Sequence, residues 1–148
     1  MGRIRKGGML IMVKYCLDTN VIGDFMHGNE SVVRKIEAAI NDGTPMFIPT
    51  IVYYETVRGL KSAGKTRQLR EFLALYASLS HLFFDRENYN VIEKATEIYV
   101  QLHKGNQIED SDVFIAAIAL VNDCTLVTAN VRHFERVEGL KLANWRID

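Results

Sequence analysis

The sequence predicts an α/β fold of three layers, with a central parallel sheet covered by helices on both faces. Three observations carry the prediction. Short apolar, β-branched runs alternate with longer stretches of helical spacing along the chain, the pattern that parallel strands joined by crossover helices produce. One of the helical stretches, residues 109–122, is almost entirely apolar after its first turn (Val113, Phe114, Ile115, Ala116, Ala117, Ile118, Ala119, Leu120), and a helix that is apolar all round is a buried one. The length, 148 residues, suffices for one sizeable core and is too short for two.

In chain order, residues 12–18 read as a short apolar strand that runs into the polar cluster Asp18-Thr19-Asn20. Residues 31–41 place Val32, Val33, Ile36 and Ile40 at helical spacing, with Gly43 as a stop. Pro45 and Pro49 bracket a brief strand, Met46-Phe47-Ile48. Thr50 is expected to cap a helix running towards Gly64, and residues 66–80 form another. A third strand is expected over 81–85, a long amphipathic helix over 87–104, a fourth strand over 125–128 and a fifth over 140–142. The start of the chain is basic and glycine-rich. Residues 1–11 are expected to be a disordered extension ahead of a domain at 12–148.

Composition narrows the function classes. Lys plus Arg and Asp plus Glu both number 18, so the net charge is zero, and any attraction to nucleic acid must come from local basic patches or bound metal. The apolar run at 9–13 is short for a signal peptide and no small-residue cleavage site follows it. No stretch reaches transmembrane length, so no membrane partner is expected and the location is expected to be cytoplasmic. Cys16 and Cys124 lie in apolar segments. They read as buried thiols of a reducing compartment, a disulfide being the alternative on count alone.

In parallel α/β sheets, ligands bind beyond the carboxyl ends of the strands, where strand order reverses. Asp18 ends the first strand, so it is either a site carboxylate or an ordinary turn or cap aspartate. Glu55, in Tyr53-Tyr54-Glu55-Thr56-Val57-Arg58-Gly59, falls among apolar neighbours and is either a partly enclosed carboxylate or a surface one. Asp110-Ser111-Asp112 opens the apolar helix, where the helix dipole favours negative charge, and one of these residues is expected to cap it. Asp110 suits the cap or an auxiliary metal contact, whereas Asp112 lies inside a helix too apolar for the surface. Thr128 and Asn130 follow the fourth strand, and Asn130 also suits a simple turn.

Three carboxylates brought together repel and raise one another's pKa unless a cation neutralises them. Oxygen ligands select hard ions, Mg²⁺ or Mn²⁺. The four histidines, His27, His81, His103 and His133, lack zinc-ligand spacing, and no phosphate-cradling glycine loop or nucleophile elbow is present. A carboxylate-held divalent ion activates water and clamps phosphoryl oxygens, which is phosphodiester hydrolysis.

These segments resemble the PIN-domain nucleases, most closely the VapC-like toxins of bacterial and archaeal toxin–antitoxin pairs. The resemblance is carried by Tyr15-Cys16-Leu17-Asp18-Thr19-Asn20, Glu55-Thr56-Val57-Arg58-Gly59, Asp110-Ser111-Asp112-Val113-Phe114-Ile115-Ala116-Ala117, Leu126-Val127-Thr128-Ala129-Asn130-Val131-Arg132-His133-Phe134, Val137-Glu138-Gly139-Leu140 and Asn144-Trp145. It implies a strand order of 3-2-1-4-5 and a Mg²⁺- or Mn²⁺-dependent endoribonuclease acting on RNA such as tRNA or rRNA. It further implies Asp18, Glu55 and Asp112 as the catalytic and metal-binding trio, with Asp110 and Asn130 as further metal contacts. Thr19, Asn20 and Thr128 would support the trio through hydrogen bonds. Many family members carry an acidic residue where this chain has Asn130, and an amide there would hold a second ion less tightly.

On this reading Asp18 and Asp112 ligate the ion, Glu55 joins them or orients the attacking water, and the product carries a 5′-phosphate. Arg58 and Lys61 are either substrate contacts or a solvated helix face. A toxin of this kind implies an antitoxin partner and a homodimer. The alternative is a PIN-like module that binds RNA or protein without cleaving. A phosphatase with Asp18 as nucleophile would want an aspartate where Asn20 stands.

Overall fold

The computed structural model describes residues 3–6, 9–79, 88–102 and 108–147 and divides its strands between two sheets. The smaller sheet is an antiparallel hairpin, β1 (Arg3–Lys6) with β2 (Met9–Met12), registered Arg3 to Met12 and Lys6 to Met9. The residues expected to precede the domain thus carry backbone pairing of their own. The larger sheet is built from β3 (Tyr15–Leu17), β4 (Met46–Phe47), β5 (Thr125–Val127) and β6 (Lys141–Ala143). All its pairings are parallel, in the order β4-β3-β5-β6.

In terms of the expected strands this is the order 2-1-4-5, as the family resemblance implies. The expected third strand, at 81–85, lies outside the described residues. The expected first strand starts later than anticipated, at Tyr15, because Met12 belongs to the hairpin.

β3 lies inside the sheet, and Cys16 and Leu17 on it are fully buried. Its Leu17 is registered against Val127 of β5, so the residues that follow these two strands emerge side by side. The amide of Asp18 donates to the carbonyl of Val127 at 3.0 Å, and that of Thr128 to Ala143 at 2.9 Å. Each strand's pairing therefore continues into the polar residue that ends it.

The helices are α1 (Thr19–Met26), α2 (Glu30–Asn41), α3 (Thr50–Ser62), α4 (Thr66–Ser78), α5 (Asn88–Leu102), α6 (Asp110–Val121) and the single turn α7 (Val131–Phe134). α1 has no counterpart among the expected elements. Gly23 and the β-branched pair Val21-Ile22 weaken its propensity, yet Val21 and Ile22 are buried and Phe25 packs beside them on the core. Tertiary burial, at about 1.5–3 kcal/mol per large apolar side chain, outweighs that deficit.

Two expected caps are corrected. Pro49 occupies the cap position of α3 with ψ 147°, and Thr50 is already helical. Glu109, at ψ 151°, precedes α6, so none of Asp110, Ser111 and Asp112 caps it. Neither helix has a side-chain cap bond. The acidic first turn of α6 acts instead through the helix dipole. α2 follows the ordinary rule, with the Asn29 side chain accepting from the Val32 amide at 3.1 Å, and Gly43 follows it at φ 68°.

α6 packs on α5, α3 and β5. Ile115, Ala116, Ala117 and Ala119 are fully buried, the alanines allowing close approach of the neighbouring elements. Phe114 departs from the all-round burial expected of this helix and remains 38% exposed. Tyr15 meets Trp145 edge-on, with ring centroids 4.9 Å apart. Among the described residues no helix is long and apolar enough to cross a membrane.

Candidate active site

Asp18 caps α1 and also anchors a polar network at the carboxyl ends of β3 and β5. Its Oδ1 accepts from the Thr19 amide at 2.8 Å. Its Oδ2 accepts from the Thr128 hydroxyl at 2.8 Å and from Asn20 Nδ2 at 3.1 Å. Thr128 Oγ1 in turn accepts the Asn130 amide at 3.0 Å, and Asn20 Oδ1 accepts the Ala129 amide at 3.0 Å. The Asp18 side chain is therefore locked by neutral donors from both sides of the strand pair.

Asp18 is 5% exposed and Thr128 is fully buried. Burial, the largest influence on Asp18, pushes its carboxyl above the usual aspartate range; the nearby Asp112 charge adds to the rise, and the three hydrogen bonds oppose it.

Glu55, in the second turn of α3, is brought to the same region by the packing of α1 on α3. The Thr19 hydroxyl donates to its Oε1 at 3.2 Å. Asp112 comes from the first turn of α6. Burial raises its carboxyl too, with the Glu55 charge contributing, while His133 opposes the rise. Asp112 thus acts on Asp18 and Glu55 on Asp112, so three carboxylates up to 94 residues apart in sequence influence one another through charge. No Lys or Arg forms an ion pair with any of them among the described residues.

His133 is the residue that sequence reasoning missed. Its Nε2 lies 2.9 Å from Asp112 Oδ2, and an ionised carboxylate can only accept, so the ring nitrogen is the donor. Its ring packs edge-on against Phe134 at 5.3 Å. Zinc-ligand spacing does not reveal a histidine with this role. The usable signal is the placement of His133 one short turn beyond Thr128, on the side of the sheet where the strands end.

The remaining expected residues lie further out. Asp110 is exposed in the first turn of α6. Asn130 is exposed and occupies the cap position of α7, with no side-chain cap bond. Arg58 and Lys61 are exposed on α3, and the Arg58 guanidinium lies over the Tyr54 ring.

The donor set suits a hard cation, being oxygen-rich, negatively charged and partly desolvated. Among the described residues, however, no three carboxylate, imidazole or thiolate groups lie close enough to hold one ion between them. That geometry is compatible with Mg²⁺, which keeps several waters and is bound through one or two carboxylates together with substrate phosphate, not through an all-protein cage.

A family model described as PIN domain matches residues 15–140. Ribonuclease VapC2 of Rickettsia felis is 31% identical over 137 residues, covering 88% of this chain and 97% of that protein. Ribonuclease VapC1 of Methanocaldococcus jannaschii is 30% identical over 132 residues, covering 87% and 86%. Among solved structures, VapBC2 from Rickettsia felis bound to a DNA fragment from its promoter aligns with a TM-score of 0.78 at 26% identity, covering 90% of this chain and 99% of that one.

Proposed function

This chain belongs to the PIN-domain family, and we propose that it is a metal-dependent endoribonuclease, the toxin of a toxin–antitoxin pair. The observation that carries the reading is a buried Asp18 beyond the carboxyl ends of a parallel sheet, acted on by the Asp112 charge as Asp112 is by that of Glu55, with no Lys or Arg paired to any of the three among the described residues. The ribonuclease relatives support the activity, and the VapBC structural neighbours support an antitoxin partner.

In the mechanism, Asp18 and Asp112 would hold Mg²⁺ or Mn²⁺, which supplies charge stabilisation and an acidified water. The protein's own part is positional. Thr128, Asn20 and the Thr19 amide hold the Asp18 carboxylate in one orientation. With Oδ2 accepting two bonds and Oδ1 one, a single acceptor site, on Oδ1, is left for an ion. His133 holds Asp112 through Oδ2, and Oδ1 has no hydrogen-bond partner among the described residues. Glu55, which accepts a hydrogen bond from Thr19, would join the ion's ligands or orient the attacking water. Asp110 and Asn130, both exposed, would add auxiliary contacts to an ion.

Cys16 and Cys124 are free, buried thiols. Burial pushes Cys124 up to about 12 and Cys16 well above the usual thiol range, so neither is a nucleophile at neutral pH. Two unoxidised core thiols fit a cytoplasmic home. A homodimer is part of the same reading.

The test is cleavage of total RNA by the purified chain with Mg²⁺ or Mn²⁺, with EDTA, and by Asp18→Asn. Cleavage that needs the ion and is lost in the variant is the expected result. Ion-independent cleavage, or full activity in Asp18→Asn, contradicts the reading; neither cleavage nor ion binding would leave the non-catalytic binding module.

A further inference from the structure

The outward face of α3 carries a feature that the carboxylate chemistry does not use. Tyr54, Arg58 and Lys61 are spaced by four and three residues, so they form one stripe along the helix. All three are exposed, on the side of α3 away from the buried Val52 and Thr56. Tyr54 is 51% exposed, a large aromatic ring left in solvent. The Arg58 guanidinium sits 4.9 Å from its centroid, an arrangement that orders both side chains. Arg58 follows Glu55 by three residues on the helix, so the stripe runs alongside the face that carries Glu55.

Charge along this segment is one-sided. Between Glu55 and Glu71 there is no acidic residue, while Arg58, Lys61, Lys65, Arg67 and Arg70 are all present, in a chain whose net charge is zero. Of these, Arg67 is paired with Glu71; neither Arg58 nor Lys61 meets a carboxylate among the described residues. Gly59, one turn beyond Glu55, faces open space, since a Cβ added there would meet nothing within 4 Å. The glycine therefore answers no packing demand.

We infer that this face of α3 is a track for a single-stranded stretch of the RNA substrate, with a base stacked on Tyr54 and the adjoining phosphates on Arg58 and Lys61. The inference rests on the nuclease reading and names what that site would take. An aromatic ring beside cations is the surface that grips single strands, because every base has a stackable face and every link a phosphate. The stripe spans roughly 10 Å along the helix axis at 1.5 Å per residue, room for one stacked base and its neighbouring phosphates. A paired duplex keeps its bases stacked on each other and cannot offer one to Tyr54. An acidic protein segment would answer the cations but leave the aromatic ring beside Glu55 unexplained.

The experiment titrates the wild-type chain, in EDTA so that the probe stays whole, with a fluorescein-labelled mixed-sequence single-stranded RNA and with the same RNA annealed into a duplex. Tyr54→Ala should weaken single-strand binding about tenfold and leave duplex binding unchanged, while Tyr54→Phe stays within about twofold of wild type. Arg58→Gln with Lys61→Gln should flatten the dependence of log affinity on log salt by about 1.4, near 0.7 for each phosphate that no longer meets a cation. Single-strand binding that is absent, or that Tyr54→Ala leaves intact, overturns the inference, as does an equal loss on the duplex. If Tyr54→Ala instead changes the oligomeric state while RNA affinity holds, the face is a contact between copies and the inference also fails. Failure of the nuclease reading shows separately, as wild-type chain that leaves RNA uncut in Mg²⁺ and Mn²⁺ whatever Tyr54 does in EDTA.

Discussion

At the amino end of the main sheet, Asp123 leads into β5 and its carboxylate meets Lys141 Nζ of β6 at 2.9 Å. Along α1, Asp24 meets Arg146 through both oxygens, at 2.6 and 2.9 Å; it sits towards the helix C-terminus, where the dipole disfavours an anion and a guanidinium compensates. At the carboxyl end of the sheet the arrangement is reversed. Asp18, only six positions before Asp24, is more deeply buried and has neutral donors alone, and Asp112 has one histidine. Elsewhere the chain answers these acids with a cation of its own; at this end it leaves them facing each other. A burial penalty and like-charge repulsion are tolerated there, which makes sense if the missing cation comes from solution.

The sharpest way to break this contrast is to neutralise each aspartate in turn. Asp18→Asn should lower the rate of RNA cleavage on the order of a thousandfold, because an ion clamp contributes several kcal/mol to the transition state. Asp24→Asn should leave cleavage within about threefold and cost roughly 1 kcal/mol of stability, the scale of a partly exposed ion pair, measured by urea unfolding. Equal effects of the two substitutions on cleavage would erase the distinction.

His133→Ala comes next. It removes the only described hydrogen-bond partner of the Asp112 carboxylate, and losses of this kind lower ion affinity or rate by about 10- to 100-fold. A titration with Mn²⁺ followed by its electron paramagnetic resonance signal reads this without any turnover. His133→Gln, which can still donate, should recover part of the loss; a purely structural histidine would show unchanged Mn²⁺ affinity in both variants.

Asp112 also supplies a stability test whose sign is opposite to that of a salt-bridged acid. Its carboxyl is raised in the folded chain, so the folded state favours the protonated form. The stabilisation from that group is complete below the unfolded aspartate pKa of about 3.9 and is lost as pH rises through the raised folded value. In EDTA, Asp112→Asn should therefore match wild type in strong acid and become more stable above that window. The gain expected is roughly 2–4 °C in Tm, the shift that about 1 kcal/mol produces in a chain of this size. A variant less stable at neutral pH would mean that the carboxylate is compensated after all.

The smallest effect is expected at Gly59. With open space around the missing Cβ, Gly59→Ala should stabilise the fold by about 0.5–1 kcal/mol, from helix propensity alone. A loss of stability would show that the helix needs the glycine there.

Much of this site is legible without any coordinates. Asp18 and Thr128 are strand-ending polar residues, and a parallel sheet puts such residues at one edge. Asp112 stands out as a charge inside an apolar helix. Less accessible are features that depend on how separate elements pack. α1 is hidden by Gly23 and Val21-Ile22, although Asp18 followed by Val21, Ile22 and Phe25 at helical spacing is a usable signal. His133 reaches Asp112 across 21 residues and two elements, so no local pattern announces the pair. The caps mislead for a local reason: Pro49 and Glu109 are poor capping types, and residue type alone favours Thr50 and Asp110 one position later.

The central claim, that the carboxyl end of the sheet is left acidic for a cation from solution, is tested most directly by calorimetric titration with Mn²⁺ of wild type, Asp18→Asn and Asp24→Asn, without RNA. The account predicts saturable binding by wild type, the same binding by Asp24→Asn, and affinity lowered at least tenfold in Asp18→Asn. Equal binding by all three, or none by the wild type, would contradict it.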